Sequence, residues 1–443
     1  MRIAEFATAR VATRLIPAWL LSVALLGGGS ASAQEAGAHE PRSTAKGPLA
    51  ELPSPPGPHM AKIKALGSNE WVALGAPAAD PKWGAARGRS WSSTQPVASN
   101  LGGMFIFAEG VHAFVKPDGH YMNDLFFYDI NAHRWICVYP GIDTRAITRR
   151  IRDKELTVNG DGVLVDAEGE PVPPLLIHAY GYLGYDPERQ KFLTFGGQFA
   201  NYFTIGERGV FAEANRLFQE QRRGKGTKPL SPFFYDVATG KWEVYPVDLA
   251  PGGQPYGANV MTYVDSKRQF WYGGTDGVWF LDQDKRTWVD AKPQGTPPTG
   301  IDHCVAYDPK RDRAYYHARG EGNAGNGFLI YDMRKNEWSR PQTKGPAPSP
   351  STAYESIFQF DAANDRLVIL RWKGGQGSQP SVYAYHPETN TWEDPLPLPA
   401  EVIGATRDGS HGGFDPATNA FYCHFAGDSG DGGTIWAYRY KKK

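Results

Sequence analysis

Short apolar and aromatic runs alternate with polar, turn-forming clusters along most of this chain. The runs are too short for amphipathic helices and are bounded by Asp, Asn, Gly and Lys, the pattern of antiparallel strands joined by tight turns. Five segments share one arrangement, in which a residue pair, usually Tyr-Asp, precedes a Trp across a polar turn. They are Tyr128-Asp129 with Trp135, Tyr235-Asp236 with Trp242, Leu281-Asp282 with Trp288, Tyr331-Asp332 with Trp338, and Tyr385-His386 with Trp392. The second member of the pair always stands six residues before its Trp. An acid there can bond the turn amides, and the Trp offers a large apolar body to a neighbouring sheet.

A second hairpin is interleaved with the first. Tyr185-Asp186, Val264-Asp265, Tyr307-Asp308, Phe360-Asp361 and Phe414-Asp415 each lead through a polar turn into another apolar strand. The two patterns together make units of four strands, named a to d in chain order. The last four repeat Trp residues lie 46, 50 and 54 residues apart, and four-stranded repeats of that length predict the blades of a β-propeller. The expected fold is all-β, with six blades near 85–140, 177–247, 256–293, 300–342, 352–396 and 408–440. A seventh stays open within 143–176, where Glu155–Val158 and Gly162–Val165 look like strands but lack the Asp-to-Trp spacing. The last unit ends on a strand c, and the triplet Asn69-Glu70-Trp71 repeats the Asn336-Glu337-Trp338 that opens a strand d. The strand at 69–75 is therefore expected to complete the last blade, which removes both open edges.

Gly196-Gly197 with Tyr235 and Trp242, and Gly374-Gly375 with Tyr383 and Trp392, resemble the Kelch repeat. Gly273-Gly274 with Trp288 is similar, with Phe280-Leu281 in place of the Tyr, whereas Arg319-Gly320 and Glu109-Gly110 replace the Gly pair elsewhere. The resemblance covers about residues 85–440. It implies a Kelch-like, galactose-oxidase-like propeller and no particular activity, because propellers host sensors, adaptors and enzymes alike.

Before the repeats, Arg2, Arg10 and Arg14 precede an apolar run from Leu15 to Leu26 and a small-residue site, Ala31-Ser32-Ala33. That is the form of a secretory signal peptide over residues 1–33, so the protein is expected in the periplasm or secreted. Residues 34–68 read as a flexible leader, and 69–443 as the propeller. No later stretch is apolar enough to predict a membrane span. Lys plus Arg equals Asp plus Glu at 47 each, which argues against a nucleic-acid partner. Cys137, Cys304 and Cys423 fall in apolar strand sequence and are expected as buried thiols. The acidic turns lack the bidentate Glu that calcium sites use, so no metal is expected, and no cofactor motif is present.

Two insertions break the rhythm, at 136–176 and 198–230. The first carries Arg145, Arg149, Arg150 and Arg152; in the second, Val210, Phe211, Ala214, Leu217 and Phe218 recur at helical spacing and predict a helix over 207–221. The d-to-a and b-to-c connections of a propeller leave from one face, so both insertions decorate the same, top face. That face also collects candidate ligand-binding residues: His178, His303 and His411 before the acids of strands a, His317, Arg319 and Arg371 at the ends of strands b, and His112, His120, Tyr121, Tyr180 and Tyr354 near them. His, Arg and Tyr converging on a central depression suit an anionic ligand such as a uronate sugar. The reading adopted is an exported, monomeric propeller that binds a carbohydrate or an envelope protein on this face. The alternative is a lyase acting on an acidic polysaccharide, with Arg neutralising the uronate and His or Tyr moving the proton.

Overall fold

The computed structural model describes residues 47–89, 94–107, 123–142, 146–174, 179, 181–195, 212–223, 225, 231–245, 259–319, 327–349, 356–373, 379–427 and 432–441. Six antiparallel sheets form the blades of a ring, and each has its strands in the order a-b-c-d. The strands a are Val97–Ala98, Leu183–Asp186, Asn259–Val264, Ile301–Asp308, Ser356–Asp361 and His411–Asp415. They contact one another from blade to blade and so surround the axis. In blade five a short piece, Leu396–Pro397, adds to strand c as a fifth strand. Among the described residues no helix is long and apolar enough to cross a membrane.

Each blade is sandwiched between two others, so both faces of its strands are apolar; strand b of blade five, Arg366–Arg371, is buried from Leu367 onward. The repeat Trp of strand d packs onto the preceding blade. Trp242 lies against Phe107, Trp338 against Trp271, and Trp392 against Phe328, with ring centres 5.9, 6.0 and 5.1 Å apart. Trp135 of blade one reaches His424 of blade six in the same way, at 4.8 Å.

The turns follow from the acids. Asp186 accepts from the amides of Glu188 and Arg189, Asp308 from Lys310 and Arg311, Asp332 from Arg334 and Lys335, and Asp236 from Ala238 and Thr239. Four residues after the acid, the a–b turns of blades two, four, five and six close on a left-handed residue, Gln190, Asp312, Asp365 and Asn419. In several hairpins the last Tyr before the turn holds the left-handed residue's side chain: Tyr307 donates to Asp312, Tyr331 to Asn336 and Tyr385 to Asn390. Side-chain bonds thus hold a backbone geometry that non-glycine residues seldom adopt.

The ring closes as the triplet implied. Glu70–Gly75 pairs with Thr434–Arg439, with Trp71 opposite Tyr438. Asn69 is left-handed at φ 59°, as Asn336 is at 55°, and Tyr438 donates to Asn69 at 3.1 Å. The closing pair is therefore a hairpin whose turn is split between the two ends of the propeller sequence. The acid's place is taken by Arg439, whose guanidinium donates to the carbonyls of Leu66, Thr418 and Asn419.

One expectation needs correcting, and one open alternative is closed. Residues 47–68 are not a flexible leader: Leu49, Leu52, Met60, Ile63 and Leu66 are buried, Met60–Ala65 is a helix, and Ser54 donates to Asp129 at 2.6 Å. Pro and Gly in this stretch mask an apolar side that packs against the blades. Residues 34–46 lie outside the described residues, as does the signal segment. Nor does 143–176 hold a blade. Its strand-like runs form a two-stranded hairpin, Thr157–Val158 with Leu164–Val165, next to the helix Ile147–Arg152. The second insertion does carry a helix, Ala212–Arg222, whose Ala214 and Phe218 are buried, while Val210 and Phe211 lie outside the described residues. Gln221 joins the insertions, accepting from the Val158 amide and donating to the Ile151 carbonyl.

Two outcomes follow for stability. A chain shortened to begin at residue 76 leaves the edge of Thr434–Arg439 unpaired and is expected to associate further than the full chain in sizing experiments, with a synthetic 66–77 peptide reversing the effect. Trp338→Ala is expected to lower unfolding free energy by about 3–5 kcal/mol, measured by denaturant titration, whereas Phe218→Ser should act mainly on the insertion and cost less.

Candidate functional site

Strand a starts and strand b ends on the same face, since Cys304 stands opposite His317, Ser356 opposite Arg371, and His411 opposite His424. His317 and Arg371 meet across the boundary of blades four and five, with a guanidinium nitrogen 3.5 Å from His317 Nδ1. Arg371 also donates to Ser356 Oγ at 3.2 Å and to the Ser349 carbonyl. A cationic donor beside Nδ1 makes that nitrogen the acceptor and leaves Nε2–H to face the Pro348 carbonyl at 3.4 Å. Both side chains are 0 % exposed. Burial, then the Arg371 charge, pushes the His317 pKa down to about 3.

The other two described imidazoles from the sequence set are also buried. His303 Nε2 faces the Thr299 carbonyl at 3.3 Å, and burial lowers its pKa to about 4. Its Nδ1 has no partner among the described residues. His411 Nδ1 faces the Gly409 carbonyl at 2.8 Å, and its Nε2 lies 3.1 Å from His424 Nδ1. Burial, then the neighbouring His424, holds its pKa well below the usual range. Arg319 is described by its backbone, which pairs with Ile301. His112, His120, Tyr121, His178, Tyr180 and Tyr354 lie outside the described residues. Of the predicted set, the structure brings His317 and Arg371 into contact and sets His303 and His411 on the same end of the inner strands.

The arginine-rich segment is engaged in ion pairs. Arg149 and Arg150 bond Glu155, and Arg152 bonds Glu213 on the helix of the other insertion; Arg145 lies outside the described residues. Arg89, fully buried at the same end, pairs with Asp124 at 2.8 Å. These cations serve the fold, because each already faces a carboxylate. Cys137, Cys304 and Cys423 are buried free thiols, and burial pushes the first two up to about 12.

A cavity of about 320 Å³ runs between the inner strands of all six blades. That is the lower end of the range for small-molecule sites. His303, Ser356 and Thr94 border it towards the top face, Tyr263, Tyr307 and Gln359 lie along it, and Asp265 borders the other end. No Lys or Arg is among the described lining residues. The sequence pattern does not single out Ser356, Gln359 and Asp265. The first two sit in strands that look purely structural, since the pattern tells which residues lie in a strand and not which border the axis. Among the described residues no three His, Cys, Asp or Glu side chains gather as metal ligands would.

Compared with known proteins, the chain matches no family model and no curated protein. The resemblance to the Kelch repeat therefore rests on the Gly, Tyr and Trp positions, and the six-bladed ring on the sheet topology.

Imidazoles that stay neutral in the fold and ionise when unfolded make stability depend on pH. Here the unfolded chain binds protons that the folded chain does not, between the ordinary His pKa of about 6.5 and the depressed values of about 4 for His303 and about 3 for His317. Stability should fall as pH falls through that window. Denaturant titrations from pH 7 to 4 are expected to show this slope, and His317→Gln to flatten it.

Proposed function

We propose that this protein is an exported propeller that binds a carbohydrate in the central cavity, entered from the face that carries the two insertions. The observation that carries the reading is the cavity itself: six inner strands enclose a space of ligand size, and a buried imidazole on its wall, His303, has an Nδ1 without a partner among the described residues. With Nε2–H directed at the Thr299 carbonyl, Nδ1 is an acceptor suited to a ligand hydroxyl. Tyr185, Tyr263 and Tyr307 add apolar surface to the cavity wall, while the Tyr307 hydroxyl is turned to Asp312. This combination of an apolar wall and a few fixed polar groups is what small-ligand sites use.

Binding is favoured over lyase chemistry on the described residues. A lyase needs an accessible cation beside the uronate and a base whose pKa lies near the working pH. Arg371 and His317 are both fully buried, and His317 titrates near 3. Export rests on the signal-like segment, and mass spectrometry of the mature protein is expected to find Gln34 at its N-terminus. Isothermal titration with neutral disaccharides is expected to detect binding to the purified chain, weakened about tenfold or more by His303→Phe. Failure of all sugars to bind, or full affinity in that variant, would remove this reading in favour of a protein-binding scaffold.

A further inference from the structure

The cavity has a chemical bias that its top end alone does not reveal. In four blades, strand a ends on an acid that holds its own turn: Asp186, Asp308, Asp361 and Asp415. Each stands four residues before the left-handed residue of that turn, Gln190, Asp312, Asp365 or Asn419. In blade three the left-handed residue is Arg268. The turn position is therefore Val264, which is buried, and Asp265 lies one residue beyond it. The pairing of Val264-Asp265 with the other Tyr-Asp and Phe-Asp pairs is thus out of step by one residue.

That step moves the carboxylate from the turn to the cavity. Pro309, Ala362 and Pro416 border the cavity at the corresponding place in blades four to six, and Asp265 borders it from blade three. Its carboxylate is exposed and makes no hydrogen bond or ion pair among the described residues. Desolvation, then Glu188, Asp186 and Asp312, raises its pKa, so it faces an acidic neighbourhood without a counter-charge. The nearby cations are engaged elsewhere: Arg189 with Asp186 and Asp284, Arg268 with Glu188, and Arg311 with Asp308 and Asp365. Independently, His303 offers a second acceptor on the same wall through Nδ1, although that side chain is only 2 % exposed. Both unpaired groups accept hydrogen bonds, and among the described residues no cation lines the space to meet an anion.

We propose that the cavity takes an amine-bearing sugar in preference to a neutral or acidic one, with the Asp265 carboxylate as counter-ion to the ammonium group. The inference rests on the reading of the cavity as the ligand site and adds the charge of the ligand. It reverses the anionic ligand expected from the His and Arg residues of the sequence, because the described ones, His303, His317, Arg371 and His411, are buried. A single carboxylate flanked by tyrosines suits an organic ammonium ion better than a divalent metal, which collects six to eight oxygens when it is calcium.

Three disaccharides that differ in charge test this: a glucosamine disaccharide, cellobiose and a glucuronate disaccharide, titrated into the purified chain at about pH 6.5, where an amine is charged. The amine should bind about tenfold tighter than cellobiose, the acid should bind weakest, and added salt should narrow the differences. Asp265→Asn should abolish the preference, so that within the variant the amine and cellobiose bind with equal affinity. In the unsubstituted protein the preference should also fade as pH falls and Asp265 takes up a proton, a readout that needs no variant. Equal binding of amine and neutral sugar, or a preference that survives in Asp265→Asn, would overturn the proposal and leave the ligand site standing. Binding of none of the three would overturn both.

Discussion

The pairing of Glu70–Gly75 with Thr434–Arg439 is the contact on which the ring depends. Every blade has two apolar faces and each needs a neighbour, so a row of six leaves two faces and two sheet edges open unless its ends meet. The closing hairpin is made with the same parts as the continuous ones: a left-handed Asn, a Tyr that holds it, and a Trp opposite that Tyr. Its departure from the pattern is Arg439, which binds carbonyls where the other turns use an acid to bind amides. A guanidinium has only donors and so suits the carbonyls of Leu66, from the N-terminal segment, and of Thr418 and Asn419, from the neighbouring a–b turn.

The same economy of polar groups governs the top end of the inner strands. Burial in a ring of apolar sheets penalises any unpaired charge, and Arg371, His317, Arg89 and Asp124 meet that demand by bonding one another or nearby carbonyls. Their chemistry as free side chains, which would suit an anion, is thereby removed. His303 and Asp265, whose Nδ1 and carboxylate have no partner among the described residues, border the cavity. Fold and site thus draw on the same residue types, and position relative to the axis separates the two uses.

The insertions add a layer that belongs to the scaffold as well. Helices Ile147–Arg152 and Ala212–Arg222 share a core with blades one and two, through Ile147, Ile151, Ala214 and Phe218. Ion pairs between Arg152 and Glu213 tie them together at the surface. Exposed pairs of this kind contribute little stability each, so it is the shared apolar core that holds the insertions in place.

What the sequence determined by itself was whatever depends on local spacing. The distance from turn acid to Trp marked the c–d hairpins, the repeat length counted six blades, and the Asn-Glu-Trp triplet at 69–71 located the closing strand. Even the shift of Asp265 was present in the spacing, since Gln269 follows it by four residues whereas Lys191, Arg313 and Arg366 follow their acids by five. Its meaning became visible only with the left-handed Arg268, which identifies Val264 as the turn position. The packing of 47–68 was decided by tertiary structure, because its scattered apolar residues acquire a shared side only against the blades. The fate of His303, His317, Arg371 and His411 was decided in the same way. Whether an imidazole or guanidinium is free or bonded depends on Thr299 and Pro348, contributed by the loops before strands a, and on side-chain orientation towards cross-strand partners such as Ser356 and His424, which the repeat spacing does not set.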